Sequence, residues 1–171
     1  MRSLTKACLT NRQRRSKITL MQIRPIQSKD EKQIKKLISD ILSKEFEFGH
    51  NAYSYGDLDS IGKVYDGKRE AFFVFEDNGK IAGTVGVKEE SKKTAIIRRL
   101  FVDPSFRRKG YGGLLIDRAV DFCKEKGYHE AAFHAVTSMK SAIDLCESRH
   151  FKAKEHVLLG GVDIIKFVLT F

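Results

Sequence analysis

The feature that most restricts this chain is Asp77-Asn78-Gly79, set between two apolar runs at 71–76 and 80–88. An Asn-Gly pair tolerates the positive φ angles of a tight hairpin turn, so the two runs are predicted to pair antiparallel. In the second run Ile81, Gly83, Val85 and Val87 alternate with Ala82, Thr84 and Gly86, which is the period of a strand. A polar link at 89–93 leads to a third run, 94–102, that extends the hairpin into an antiparallel meander. Asp103-Pro104 ends this run, because proline has no N–H to give a ladder and restricts the residue before it.

The periodicity changes on either side of the meander. Upstream, 22–26 reads as a short strand whose Pro25 suits an edge, and Asp30 stands where it can cap a helix carrying Ile34, Leu37, Ile38, Ile41 and Leu42 on one face. Residues 45–70 are irregular, with room for a short helix at 57–65. Downstream, a helix at 111–126 is ended by Gly127, and 130–136 is a strand. Ser138 can cap a helix with Met139, Ala142, Ile143 and Cys146 on one face, and 153–159 with 162–170 form a last hairpin through Gly160-Gly161. Together these describe one α/β (α+β) domain: a mixed central sheet of about seven strands, mostly antiparallel, flanked by about four helices.

Charge narrows the partners. The net charge is +10, but residues 1–20 hold Arg2, Lys6, Arg12, Arg14, Arg15 and Lys17 with no acid, leaving 21–171 at +4. A mildly basic body suits a polyphosphate ligand as well as it suits DNA, and because most of the excess lies in residues 1–20 nucleic acid is not expected as the main partner. Residues 1–20 are expected to be a disordered basic extension preceding a domain at 21–171. Their composition also resembles an organelle transit peptide, and an upstream start before Met21 is a further reading. No apolar run approaches membrane-spanning length, and Cys8, Cys123 and Cys146 show no metal-type pairing, so a cytoplasmic protein without metal or disulfides is expected.

The basic segment after Asp103-Pro104 carries the chemistry. A helix start presents unpaired N–H groups and partial positive charge, which favours phosphate. Gly110 and Gly112 let the backbone approach a pyrophosphate, and Arg107, Arg108 and Lys109 add charge. Neither the P-loop Gly-Lys-Ser/Thr nor the dinucleotide Gly-x-Gly-x-x-Gly is present.

Arg107-x-x-Gly110-x-Gly112, preceded by Leu100-Phe101-Val102-Asp103-Pro104, resembles motif A of the GNAT superfamily of N-acetyltransferases, whose pattern is Arg/Gln-x-x-Gly-x-Gly/Ala. The segment from Ala142 through Cys146 to Phe151 resembles its motif B, and the element order agrees across 21–171. The resemblance implies an acetyl-CoA-dependent N-acetyltransferase. The strand ending at Leu100, Phe101 and Val102 would splay from the strand at 130–136 to admit the pantetheine arm. Arg107, Arg108, Lys109, Gly110, Tyr111, Gly112 and Gly113 would hold the pyrophosphate. A main-chain N–H near Phe101 or Val102 would polarise the thioester, and a primary amine would attack directly in a ternary complex.

The sequence departs from that family's pattern at the catalytic positions. Cys146 stands where many relatives have a tyrosine general acid, and either donates a proton itself or is a small packing residue. Ile96 stands where relatives often carry a basic glutamate. The base is then unassigned among Glu45, Glu47, Glu89, Glu90, His134 and solvent. His150 replaces the glycine usual before the motif B phenylalanine. Glu45, Glu47 and Tyr53, in the acid- and aromatic-rich segment where the family builds its acceptor site, suggest binding of a cationic or amphipathic amine, a small molecule or a peptide. A homodimer stays open. The competing reading is a catalytically silent acyl-CoA sensor of the same fold.

Overall fold

The computed structural model describes residues 21–45 and 56–171. The basic extension at 1–20, Glu47 and Tyr53 lie outside them. Seven strands form one sheet in the order β1-β2-β3-β4-β5-β7-β6. They are β1 (Met21–Pro25), β2 (Ala71–Asp77), β3 (Lys80–Glu89), β4 (Thr94–Val102), β5 (Glu130–Val136), β6 (Lys152–Leu159) and β7 (Val162–Thr170). The helices are α1 (Glu31–Glu45), α2 (Ile61–Val64), α3 (Tyr111–Glu125) and α4 (Lys140–Ser148).

The hairpin forms in the expected place. Asp77 pairs with Lys80, and the two turn residues take φ of 51° at Asn78 and 85° at Gly79. Every neighbouring pair in the sheet is antiparallel except β4 with β5, which the crossover through α3 makes parallel.

Two apolar layers enclose the sheet. Ile34, Leu37, Ile38, Ile41 and Leu42 of α1 pack with Phe72, Val74 and Ile81 on one face. Leu115, Ile116, Ala119 and Val120 of α3 pack with Phe73, Phe75, Val85 and Ile97 on the other. Alternation along the strands sends neighbouring residues to opposite layers, which is why β2 is buried on both sides.

Helix starts differ from the sequence expectations. Asp30 is the last residue of a 3₁₀ turn, and its carboxylate accepts from the Gln27 N–H at 2.8 Å and binds Arg24 at 2.6 Å. A partner on β1 draws the side chain away from a capping role on α1. Asp57 precedes a helix that begins only at Ile61, because its carboxylate is held by Arg99 of β4. Ser138 is not the cap of α4 either; Met139 precedes that helix without a side-chain cap. Among the described residues no helix is long and apolar enough to cross a membrane.

Candidate active site

The β4–β5 pair is short. Thr94 to Ile97 lie opposite Glu130 to Phe133, and the two strands are not paired beyond Ile97–Phe133. β4 also carries an irregularity against β3: Thr84 faces Phe101 while Gly86 faces Arg98, so one residue on β3 spans two on β4. Arg99 lies within that bulge at φ 55°, and its carbonyl accepts from the Thr84 hydroxyl at 2.7 Å. A bulge turns the end of a strand, here Leu100 to Val102, away from its former direction.

Two cavities with shared lining residues occupy the opening. The larger, about 750 Å³, runs along Leu100, Phe101 and Val102, past Arg107, Arg108 and Gly110 to Gly113, and against the start of α4 from Ser138 to Ala142. The smaller, about 210 Å³, lies between Ile96, Arg98 and Arg99 of β4 and His134 of β5, and shares Leu100, Phe101 and Met139 with the first. All the sequence-predicted cofactor residues except Lys109 line the larger cavity. Lys109 instead lies 5.5 Å from the ring of Phe106.

The glycine-rich turn is held from below. Tyr111 stacks on Phe75 at 4.3 Å between ring centroids. The Asp103 carboxylate accepts from the Ser105 N–H at 2.8 Å and pairs with Lys80 at 2.8 Å. Gly110 precedes α3 with φ 85°, and a Cβ added there would meet no protein atom within 4 Å. That combination of left-handed backbone and open space beside unpaired helix amides is what a bulky anion requires.

The structure divides the three predicted cations. Arg107 donates to the Val102 carbonyl at 2.9 Å and pairs with Glu45 at 2.8 Å, tying the end of α1 to the end of β4. Its guanidinium therefore braces the groove, and among the described residues Arg108 forms no ion pair that would compete for a ligand. Behind the turn, Arg149 packs against Gly113, where a Cβ would fall 2.1 Å from Nη2, and is held there by Asp117 at 3.0 and 3.2 Å.

Cys146 lies in the hydrophobic core, fully buried with Leu115, Phe151 and Phe167, and does not line either cavity. Burial pushes its thiol up to about 12. Its neighbour Leu145 is the residue of that turn that reaches the groove.

The candidate bases separate in the same way. Glu45 is paired with Arg107, Glu89 with Arg69 at 3.0 Å, and Glu90 with Lys166 at 3.3 Å. His134 lines the smaller cavity. The imidazole is exposed, but partial desolvation holds it below the usual 6.5, and Lys166 and Arg98 add to that, against Glu90 and Glu155. Sequence reasoning missed the Asp57–Arg99 pair, in which both side chains are nearly buried, since nothing local links residues so far apart. Arg98 was legible: it lies two residues from Ile96 and therefore on the same face of β4.

A half-open sheet with a phosphate-ready helix start at the opening is the arrangement that the resemblance to the GNAT superfamily implied, and comparison with known proteins agrees. Residues 35–151 match the Acetyltransferase (GNAT) family, and the chain belongs to it. It is 33% identical over 103 residues to an uncharacterized N-acetyltransferase of Methanocaldococcus jannaschii, covering 57% of this chain and 45% of that protein. The chain thus spans about half the length of the curated relatives it matches. Among solved structures, an acetyltransferase from Streptococcus agalactiae superposes with a TM-score of 0.78 at 18% identity, covering 88% of this chain and 98% of that one. A Salmonella typhimurium protein solved with its cofactor acetyl-CoA has a TM-score of 0.75 at 17% identity, covering 88% and 93%.

Proposed function

We propose that residues 21–171 form an acetyl-CoA-dependent N-acetyltransferase domain that moves an acetyl group to a primary amine by direct attack in a ternary complex. The observation that carries this reading is the pair of cavities meeting at Leu100 and Phe101, one ending at phosphate-ready amides and the other at a titratable side chain. Acetyl-CoA would supply the activated thioester when bound.

The chain's own groups have separable roles in this reading. The amides at the start of α3 face the pyrophosphate, with Arg108 adding charge. Main-chain groups of Leu100 to Val102 bind the pantetheine arm, and an N–H near Phe101 or Val102 donates to the thioester oxygen as charge develops there. His134 removes the proton from the attacking amine. It lines the acceptor-side cavity and its lowered pKa keeps it neutral at pH 7, as a base must be. No role falls to the Cys146 thiol, which is sealed in the core, so the leaving thiolate takes its proton from solvent.

The test is release of free thiol from acetyl-CoA in the presence of a panel of amines. Amine-dependent release supports the reading. Tight CoA binding with no turnover of any amine would favour the silent sensor instead, and absence of acetyl-CoA binding would overturn both.

A further inference from the structure

The acids that made the acceptor region look suited to a cationic amine are neutralised where they are described. Glu45 pairs with Arg107, Asp57 with Arg99, and Asp59 with Lys35. What remains at the acceptor cavity has the opposite sign. Among the described residues its lining consists of Arg98, Arg99, His134 and apolar side chains, with no carboxylate. Arg99 is balanced by Asp57, and His134 is neutral at pH 7 for the reasons given above. Arg98 is exposed and, among the described residues, forms no ion pair. Among the described residues, one guanidinium without an ion pair thus stands beside a cavity whose apolar wall includes Ile96, Phe133, Val136 and Ile164.

Resting on the acetyl-transfer reading, we propose that the acceptor is a small amine that also carries a carboxylate, of the amino-acid type, with Arg98 binding the carboxylate and the apolar lining taking the side chain. Arginine matches a carboxylate with two parallel N–H donors, which fixes orientation as well as proximity. The bulge sets Arg98 and Phe101 opposite Gly86 and Thr84, two positions apart on β3 and so about 7 Å along the sheet, and a long side chain reaches back over part of that distance, so the anion lies a few bonds from the amine. A second ammonium in the acceptor would meet like charge from Arg98. The cavity, at 210 Å³, is below the roughly 300–1,000 Å³ of pockets for drug-sized ligands, which suits an amino acid better than a bulkier acceptor.

Matched acceptors built on alanine, leucine and phenylalanine test this, each as the free acid, the amide and the amine lacking the carboxylate. The expected result is a kcat/KM for the acids at least tenfold above that for the matched amides. Arg98→Gln should narrow that ratio to within about threefold, while Arg98→Lys keeps part of it. Acetyl-CoA affinity and Tm, measured on the same variants, separate this from misfolding. A measurement independent of turnover is binding of N-acetyl-leucine against N-acetyl-leucinamide to the CoA-saturated protein, where the acid should bind at least tenfold tighter and Arg98→Gln should erase the difference. No preference for the acids, including no measurable binding of them, overturns the proposal. Loss of acetyl-CoA binding by the unaltered protein would instead sink the reading beneath it.

Discussion

Gly110→Asp tests the cofactor groove with the fewest confounding effects, because its cost divides into parts that separate measurements read. A Cβ at Gly110 would have no protein atom within 4 Å, so no clash contributes to the folded state. The backbone does contribute: at φ 85° a non-glycine residue costs about 1–2 kcal/mol. For a domain of this size that is a Tm lower by roughly 2–8 °C. Gly110→Ala carries the same strain without charge and serves as the reference. The aspartate adds a negative charge beside a bound pyrophosphate. At about 4–6 Å and an effective dielectric near 20, attenuated by the open mouth, the repulsion is about 2–4 kcal/mol. That corresponds to acetyl-CoA binding roughly 30- to 1,000-fold weaker, read by calorimetry. The gap between Asp and Ala variants should shrink as salt is raised, since the site is solvent-connected. If both variants bind acetyl-CoA within twofold of the parent, the pyrophosphate does not rest on this turn and the groove assignment is wrong.

Three other outcomes follow from the same geometry. Asp57→Ala leaves the nearly buried Arg99 guanidinium without its carboxylate and should destabilise by about 3–5 kcal/mol in a urea or thermal melt, against less than about 1 kcal/mol for Asp59→Ala at the exposed pair with Lys35. Equal costs would show that the Asp57 pair does not anchor the bulge. As pH falls through the lowered pKa of His134, the imidazole takes up a proton and the base is lost. The acid limb of kcat/KM should therefore lie below pH 6.5, and His134→Gln should remove it and lower the rate about 10²- to 10⁴-fold. The neighbours that set this limb are Arg98 on β4, Lys166 on β7, Glu155 on β6 and Glu90 after β3; a limb unchanged in His134→Gln would exclude the imidazole. Ile96→Glu would place a carboxylate two residues from Arg98 on the same face, so it should pair with that guanidinium and abolish the preference for acidic acceptors. A preference that survives the substitution would separate Arg98 from acceptor recognition.

The two ends of the site were unequally legible in the sequence, for a physical reason. The phosphate site proposed at the start of α3 consists of main-chain N–H groups, and main-chain geometry is written locally: Asp103-Pro104 stops the strand, Gly110 supplies a φ of 85°, and the apolar period of α3 begins at once. The Asn78-Gly79 hairpin and the α1 face were legible for the same reason, since turn chemistry and helical period are properties of a few consecutive residues. The acceptor end depends on side chains that find partners across the fold. Asp57 to Arg99 and Glu45 to Arg107 join residues 42 and 62 positions apart, and no local pattern says that these acids are neutralised.

That difference changed the chemistry read from one segment. Taken in sequence, Glu45, Asp57 and Asp59 surround aromatics and invite a cation. In the fold each has a basic partner, and one of those partners, Arg99, lies within the bulge of β4. Those pairings leave little free negative charge around the groove, and among the described residues Arg98, on the face of β4 that also carries Ile96, forms no ion pair. With an isoleucine at that position, β4 has no carboxylate with which to pair Arg98 or to take a proton. In the proposed reading, a base at His134 of β5 and an acceptor carboxylate at Arg98 both follow from the single departure at Ile96.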